Sequence, residues 1–389
     1  MPDAVIVEAV RTPVGKRGGA LKHWHPVDLL GRTLRELVDR AGVDDALVDD
    51  VIAGCGMQHD HQSGNLGRHA VLSAGFCESV PAVTIDRQCG SGQQAVSFAA
   101  QAIMAGSCEA VIACGVESMS QTPLPPAFVP GGPLGPQYSP LELARYGGVM
   151  MAQGASSELM NQRFGLTREA LDDYSVRSHS RAAAARDAGK LSAQLVPITV
   201  DPLDPTSRLV DSDEGIRDTI DRAKMASLRP VFAQDGRTTA GNSSQISDGA
   251  AALLVTSEDF AWRHGLRPRA RLRALSIAAD DPIIQFTAIL PATRKALKAA
   301  GLSIEDIDLF EVNEAFAGVP LMFQQTFGVP DDTLNVNGGS IALGHPLGST
   351  GARMLTDLLC ELERSDKKLG LQTICEASGT ANATIIERI

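Results

Sequence analysis

Apolar residues recur at helical spacing in Leu30, Leu34, Leu37 and Val38, and again in Ala95, Val96, Ala99, Ala100, Ile103 and Met104. The spacing predicts two amphipathic helices, the second over residues 94–104. A third is expected where Met354, Leu355, Leu358, Leu359 and Leu362 repeat the pattern. A fourth is expected over 167–185, where Thr167 with Glu169 and Ala170 reads as a helix start. Short unbroken apolar runs predict strands instead: 50–54, 83–85, 247–256, 308–312 and 371–374.

The order of these elements repeats. The first helix runs into Ala41-Gly42-Val43-Asp44 and then the strand at Asp50; Ala296, Leu297 and Lys298 run into Ala300-Gly301-Leu302-Ser303 and then the strand at Asp308. Residues 84–91, leading into a helix, have a counterpart in 335–340. Two copies of one βαβ-rich unit are implied. Between them lies a stretch of different character that starts rich in Pro and Gly, with Pro123, Pro125, Pro126, Pro130, Gly131, Gly132, Pro133, Pro136 and Pro140. It is too long for an ordinary loop. The expected organisation is an N-terminal half over 1–120 completed by 246–268, an inserted domain over 121–245, and a C-terminal half over 269–389.

Length and composition narrow the class. A chain of 389 residues exceeds one simple core, and 44% hydrophobic residues with 37 Gly and 21% charged residues suit a compact α/β enzyme. A net charge of -11 argues against general nucleic-acid binding, which needs cations facing phosphates. Seven cysteines, Cys55, Cys77, Cys89, Cys108, Cys114, Cys360 and Cys375, show no CxxC spacing, so neither a disulfide framework nor a zinc ribbon is expected and reducing cytoplasm is the natural compartment. The first residues, Met1 to Val7, carry no basic leader; no apolar run reaches the roughly 20 residues of a membrane span; Glu387-Arg388-Ile389 is no peroxisomal address. His59 and His61 lack a third ligand at useful spacing, so no metal is expected.

Four residues suit thioester chemistry, which needs a thiolate, a base to create it, a second acid/base and donors for the carbonyl oxygen. Cys89, His345, Cys375 and Asn313 match those tasks. Cys89 lies between a strand and a helix, flanked by Gly90, and a helix N-terminus is expected to depress its pKa. Pro346 keeps His345 out of helical geometry, in a turn.

The blocks Gln88-Cys89-Gly90-Ser91-Gly92, Asn313-Glu314-Ala315-Phe316-Ala317, residues 337–353 and the strand ending in Cys375 resemble the active-site blocks of the thiolases. The resemblance runs from residues 7–13 to 385–388. It implies a layered α/β/α/β/α core of two duplicated halves with an inserted loop domain, and cleavage of 3-ketoacyl-CoA by CoA or the reverse Claisen condensation. By the same resemblance Cys89 takes the acyl group, His345 activates it, and Cys375 moves the α-proton. Asn313 holds a water that forms one oxyanion hole with His345, and the backbone N–H groups of Cys89 and Ala377 form the other. Arg217, Leu228 and Ser244 are expected to contact CoA, and Gln153 and Phe316 to line the acyl pocket. CoA is a substrate and no cofactor is implied; a homodimer or homotetramer is expected, and a β-oxidation partner subunit is compatible.

Two departures from the family pattern stand out. A Gly-rich run containing Met is replaced after Cys375 by Glu376-Ala377-Ser378-Gly379-Thr380, and a His-Met-Gly segment by Ala152-Gln153-Gly154. The second points away from acetoacetyl-CoA towards a longer, branched or polycyclic acyl chain. Two other readings are a decarboxylating ketosynthase, which does not need Cys375, and a non-catalytic acyl-CoA-binding subunit.

Overall fold

A computed structural model describes residues 2–124, 138–149 and 152–389; Pro125 to Pro136 of the Pro- and Gly-rich run lie outside the described residues. The chain opens with β1 (Ala4–Arg11), β2 (Gly15–Lys16), α1 (Pro26–Ala41), β3 (Asp50–Gly54), α2 (Leu66–Ser73), β4 (Ala82–Ile85), α3 (Ser91–Met104) and β5 (Ala110–Ser118). The inserted segment carries α4 (Pro140–Arg145), α5 (Gln153–Arg163), α6 (Arg168–Asp187), the small ribbon β6 (Ile198–Thr199) and β7 (Leu209–Val210), and α7 (Arg222–Ala226). Then follow β8 (Ser247–Ser257), α8 (Glu258–Arg263), β9 (Ala270–Ala279), α9 (Ile289–Ala300), β10 (Leu309–Val312), α10 (Gly318–Phe327), α11 (Leu347–Arg364), β11 (Leu369–Glu376) and β12 (Thr380–Arg388).

Among the described residues the main sheet has ten strands, nine of them in the order β10-β11-β12-β9-β1-β8-β5-β3-β4 with β2 pairing β8, and the halves meet where β1 pairs with β9 antiparallel. The duplication is visible in the pairing. In the first half β3 lies parallel to β5 and β4, and β8 runs antiparallel to both β5 and β1. In the second, β10 lies parallel to β11, and β12 runs antiparallel to β11 and β9. A parallel bridge from Phe310 to Leu334 stands where β4 stands in the first copy.

The repeated Ala-Gly dipeptides have a mechanical reason. Gly42 and Gly301 both end their helices in the left-handed region, at φ 67° and 69°. α1 and α9 pack on outer faces of the sheet, while α3 and α11 form a buried layer between the halves. This gives the five layers. With helices on both faces, β5 and β8 are buried along their whole lengths.

The inserted segment is bonded to both halves. Arg40 donates to the carbonyls of Ala193 and Leu195, both at 2.6 Å, and Trp24 Nε1 donates to Thr199 O at 2.6 Å. On the other half, the Tyr174 and Ser178 hydroxyls of α6 donate to Glu314, at 2.8 and 2.7 Å. Glu314 sits beside Asn313, so the insertion braces the Asn313 loop directly. Thr167 caps α6 as expected, its side chain accepting from Ala170 N.

Candidate active site

The Cys89 turn is built from strained backbone. Gln88 has φ 51°, a left-handed value unusual outside glycine. It is held there by Asp86, which accepts Gln88 N at 2.6 Å, and by Ser91 Oγ, which accepts Arg87 N at 2.9 Å and donates to Gln88 O at 2.6 Å. α3 starts at Ser91, so Cys89 does lie at a helix N-terminus. The thiol is buried among Leu347, Met354 and Ile374.

The expected depression of its pKa is not found. Burial pushes the Cys89 thiol up to about 12, the Glu376 carboxyl pushes the same way, and a hydrogen bond from Gln153 only partly offsets them. The magnitudes explain the outcome: a helix terminus contributes about 0.3–1 kcal/mol, whereas full burial can shift a group by several pKa units. At neutral pH Cys89 is therefore a thiol.

His345 is held in one tautomer. Thr350 Oγ1 donates to Pro346 O at 2.8 Å, so its lone pairs face His345 Nδ1 at 2.7 Å, and Nδ1 carries the proton. Nε2 is then the acceptor atom of the ring. Asn313 Nδ2 lies 3.4 Å from Nε2, and its amide orientation is fixed from behind because Ser340 Oγ donates to Asn313 Oδ1 at 2.6 Å. Arg353 Nη2 donates to Ser340 Oγ at 3.1 Å in turn. Burial, reinforced by the Arg353 charge, pulls the His345 pKa down to about 3. The imidazole is neutral at physiological pH. Gly344, at φ 116°, places it: a Cβ there would collide with Ser247 Oγ.

Cys375 shares an apolar cluster with Phe286 and Phe316, whose rings meet edge to face at 5.5 Å. Burial, then the nearby Cys89, holds its thiol well above the ordinary range. The two cysteines therefore sense one another. Gln153 begins α5 and its side chain is hydrogen-bonded to Cys89.

The expected CoA residues lie on the inserted segment. Ser244 N donates to Ala315 O and Ala317 N donates to Asn242 O, both at 3.0 Å, which stitches the Ser244 segment to the Asn313 loop. Leu228 accepts Arg168 Nη1 on its carbonyl at 3.1 Å and lies against Gly241. Arg217 is exposed, its backbone N–H bonded to His179 Nδ1 at 3.2 Å, and its guanidinium makes no ion pair among the described residues. Ala377, half-buried, opens the turn after β11.

Residues 4–259 match the family described as thiolase, N-terminal domain, and residues 266–388 match thiolase, C-terminal domain. The chain belongs to the thiolase family. This thiolase is 48% identical over its whole length to the steroid 3-ketoacyl-CoA thiolase FadA6 of Mycobacterium tuberculosis, of which it covers 95%. It is 42% identical to the 3-ketoacyl-CoA thiolase of Erwinia tasmaniensis, with all of both chains covered. The crystal structure of the Bacillus anthracis acetyl-CoA acetyltransferase is similar at TM-score 0.90 and 38% identity, covering 100% of this chain and 99% of that one. The thiolase is thus a CoA-dependent acyltransferase.

Sequence reasoning assigned no role to Ser340, Thr350 or Arg353, although all three lie in the quoted 337–353 block. The available signal was chemical: polar side chains in a run of small and apolar residues must find partners when buried.

Proposed function

We propose that Cys89, His345, Cys375 and Asn313 carry thiolysis in the roles their chemistry suits. His345 Nε2 takes the proton from Cys89 Sγ, and the thiolate attacks the 3-keto carbon. The resulting imidazolium can then donate from Nε2 to the new oxyanion, alongside a water on Asn313. The C2–C3 bond breaks, its electron pair goes to the acetyl-CoA enolate, and Cys375 supplies the proton to C2. CoA enters, Cys375 takes its thiol proton, and the CoA thiolate releases the shortened acyl group from Cys89. The backbone N–H groups of Cys89 and Ala377 serve the thioester oxygen. The observation that carries the reading is the neutral His345, oriented through Nδ1 by Thr350 so that Nε2 is its acceptor atom.

CoA is read as lying along the inserted segment, 121–245, against Arg217, Leu228 and Ser244, with the two halves over 1–120 plus 246–268 and over 269–389. The acyl pocket is lined by Gln153 and Phe316. A bulky or long acyl chain is favoured over acetoacetyl-CoA, because Gln153 replaces the pocket-narrowing segment and one relative is named for steroid 3-ketoacyl-CoA. A cytoplasmic homo-oligomer completes the reading. CoA-dependent loss of 3-ketoacyl-CoA enolate absorbance, over a panel from acetoacetyl-CoA to polycyclic acyl chains, tests it. Turnover abolished in Cys89→Ala and greatest on bulky chains supports it; a sharp maximum at acetoacetyl-CoA rejects the substrate class, and undiminished turnover in Cys89→Ala rejects the nucleophile.

A further inference from the structure

Glu376 follows Cys375 on β11 and therefore faces the opposite side of the strand. Its charge nonetheless acts on the Cys89 thiol. Its side chain is fully buried and lies against Gly90, where any Cβ would overlap Oε1. Oε2 accepts the Thr380 hydroxyl at 2.6 Å, while Oε1 has no hydrogen-bond partner. A buried oxygen left without a partner disfavours the carboxylate, because nothing in the protein replaces the water it has lost.

The charges around it do not compensate. From the Cys89 turn the Arg87 charge acts on it, and from the end of β4 that of Asp86 acts the opposite way. Arg87 Nε is itself left without a hydrogen-bond partner. Cys375 lies next to it on its own strand, and Glu117 of β5 acts on Cys89 with the same sign as Glu376. His345, held down to about 3, does not titrate in the neutral or alkaline range. Burial therefore dominates, and Glu376 is pushed up to about 8.

We propose that Glu376 is a positioning residue that gates the nucleophile by its own protonation. As the neutral acid it fills the space behind Gly90 and leaves the Cys89 thiolate free of a like charge at the turn. Once ionised, it sets a second negative charge there and keeps the thiol protonated, so less of the enzyme is ready to attack. Glu376 touches neither substrate nor the acyl group; it acts through Cys89. The proposal rests on Cys89 being the nucleophile.

Iodoacetamide alkylation of Cys89 tests it, read by mass spectrometry of the Cys89 peptide in the full-length protein between pH 6.5 and 9.5. Wild type and Glu376→Gln are expected to react alike at pH 6.5. As pH rises the wild type falls behind, by roughly tenfold at pH 9.5, the effect of about one pKa unit on the thiol. Curves that stay parallel across the range overturn the gate, since a merely space-filling Glu376 is replaced by Gln without a pH-dependent change. Thr380→Val keeps the carboxyl and removes only the donor to Oε2, so Glu376 should ionise at higher pH and Cys89 should react faster than in wild type near pH 8; labelling equal to wild type there also overturns the gate, and this comparison needs no Gln variant. Turnover measured on the same samples separates the two ideas. Activity lost in step with Cys89 labelling supports the nucleophile, whereas activity surviving complete labelling rejects the nucleophile and with it the gate.

Discussion

Asn313 shows how one hydroxyl decides what an amide presents. With Ser340 Oγ donating to Oδ1, Nδ2 must turn to His345, and Arg353 holds the serine in place. Ser340→Ala releases the amide to rotate, and because the arrangement serves the oxyanion more than the bound substrate, kcat should fall about tenfold with KM for CoA nearly unchanged. This is less than the loss expected for deleting an oxyanion donor outright, about 10²–10³; steady-state kinetics decide, and an unaltered kcat discards the role. His345 itself makes a pH prediction. Its charge appears only as pH falls through about 3, so kcat/KM should show no imidazole limb near pH 6.5. Removing a nearby positive charge favours the imidazolium, so Arg353→Gln should move that limb upward; a wild-type limb near 6.5 that is unmoved by this change contradicts the assignment.

Among elements, the contact of α3 with α11 controls the site most directly, because α3 follows the Cys89 turn and α11 follows His345. Their close approach depends on Gly351, where a Cβ would collide with the Gln93 backbone nitrogen. Gly351→Ala should therefore destabilise by about 1–3 kcal/mol through overpacking, measured by denaturant unfolding, and should slow turnover by separating the two turns. Both helices were legible in the sequence because amphipathic spacing is local, and the duplication was legible because Gly42 and Gly301 cap equivalent helices in the same left-handed geometry. The chemistry of the site was legible only in part. His345 and Cys89 stood out by motif, but the Cys89 pKa depends on burial and on Glu376 from the far end of the chain, and no local pattern carries that. The Thr350 bond to His345 is close in sequence, yet its effect on the tautomer follows only once Thr350 is seen to donate to Pro346 O.

At the scale of the whole molecule, three segments are tied by a buried charge network. Arg11 of β1 meets both oxygens of Asp213 on the inserted segment, at 2.7 and 3.0 Å, and donates from Nε to Asp357 of α11 at 3.0 Å. Asp357 also accepts Arg353 Nη1 at 2.7 Å, so the network ends at the side chain that holds Ser340. Burial alone disfavours the Arg11 charge, but Asp213 and Asp357 outweigh it and hold the guanidinium above its ordinary range. Asp213→Ala leaves that charge short of a partner and should cost about 3–5 kcal/mol, read as a lowered denaturant midpoint. The buried acids set the opposite kind of dependence. Glu376 is raised from an ordinary 4.5 to about 8 by burial, so the folded protein binds its proton more tightly than the unfolded chain does between those values. Unfolding there releases a proton, and stability must fall as pH rises. The contribution is fully present below about pH 4.5, declines through the neutral range and is gone above about pH 8. Glu311, raised in the same direction by burial and then by Asp357, steepens the decline. Denaturant midpoints between pH 5 and 9 should therefore fall less steeply in Glu376→Gln than in wild type; equal slopes would mean that the buried carboxyl ionises as readily as a solvated one.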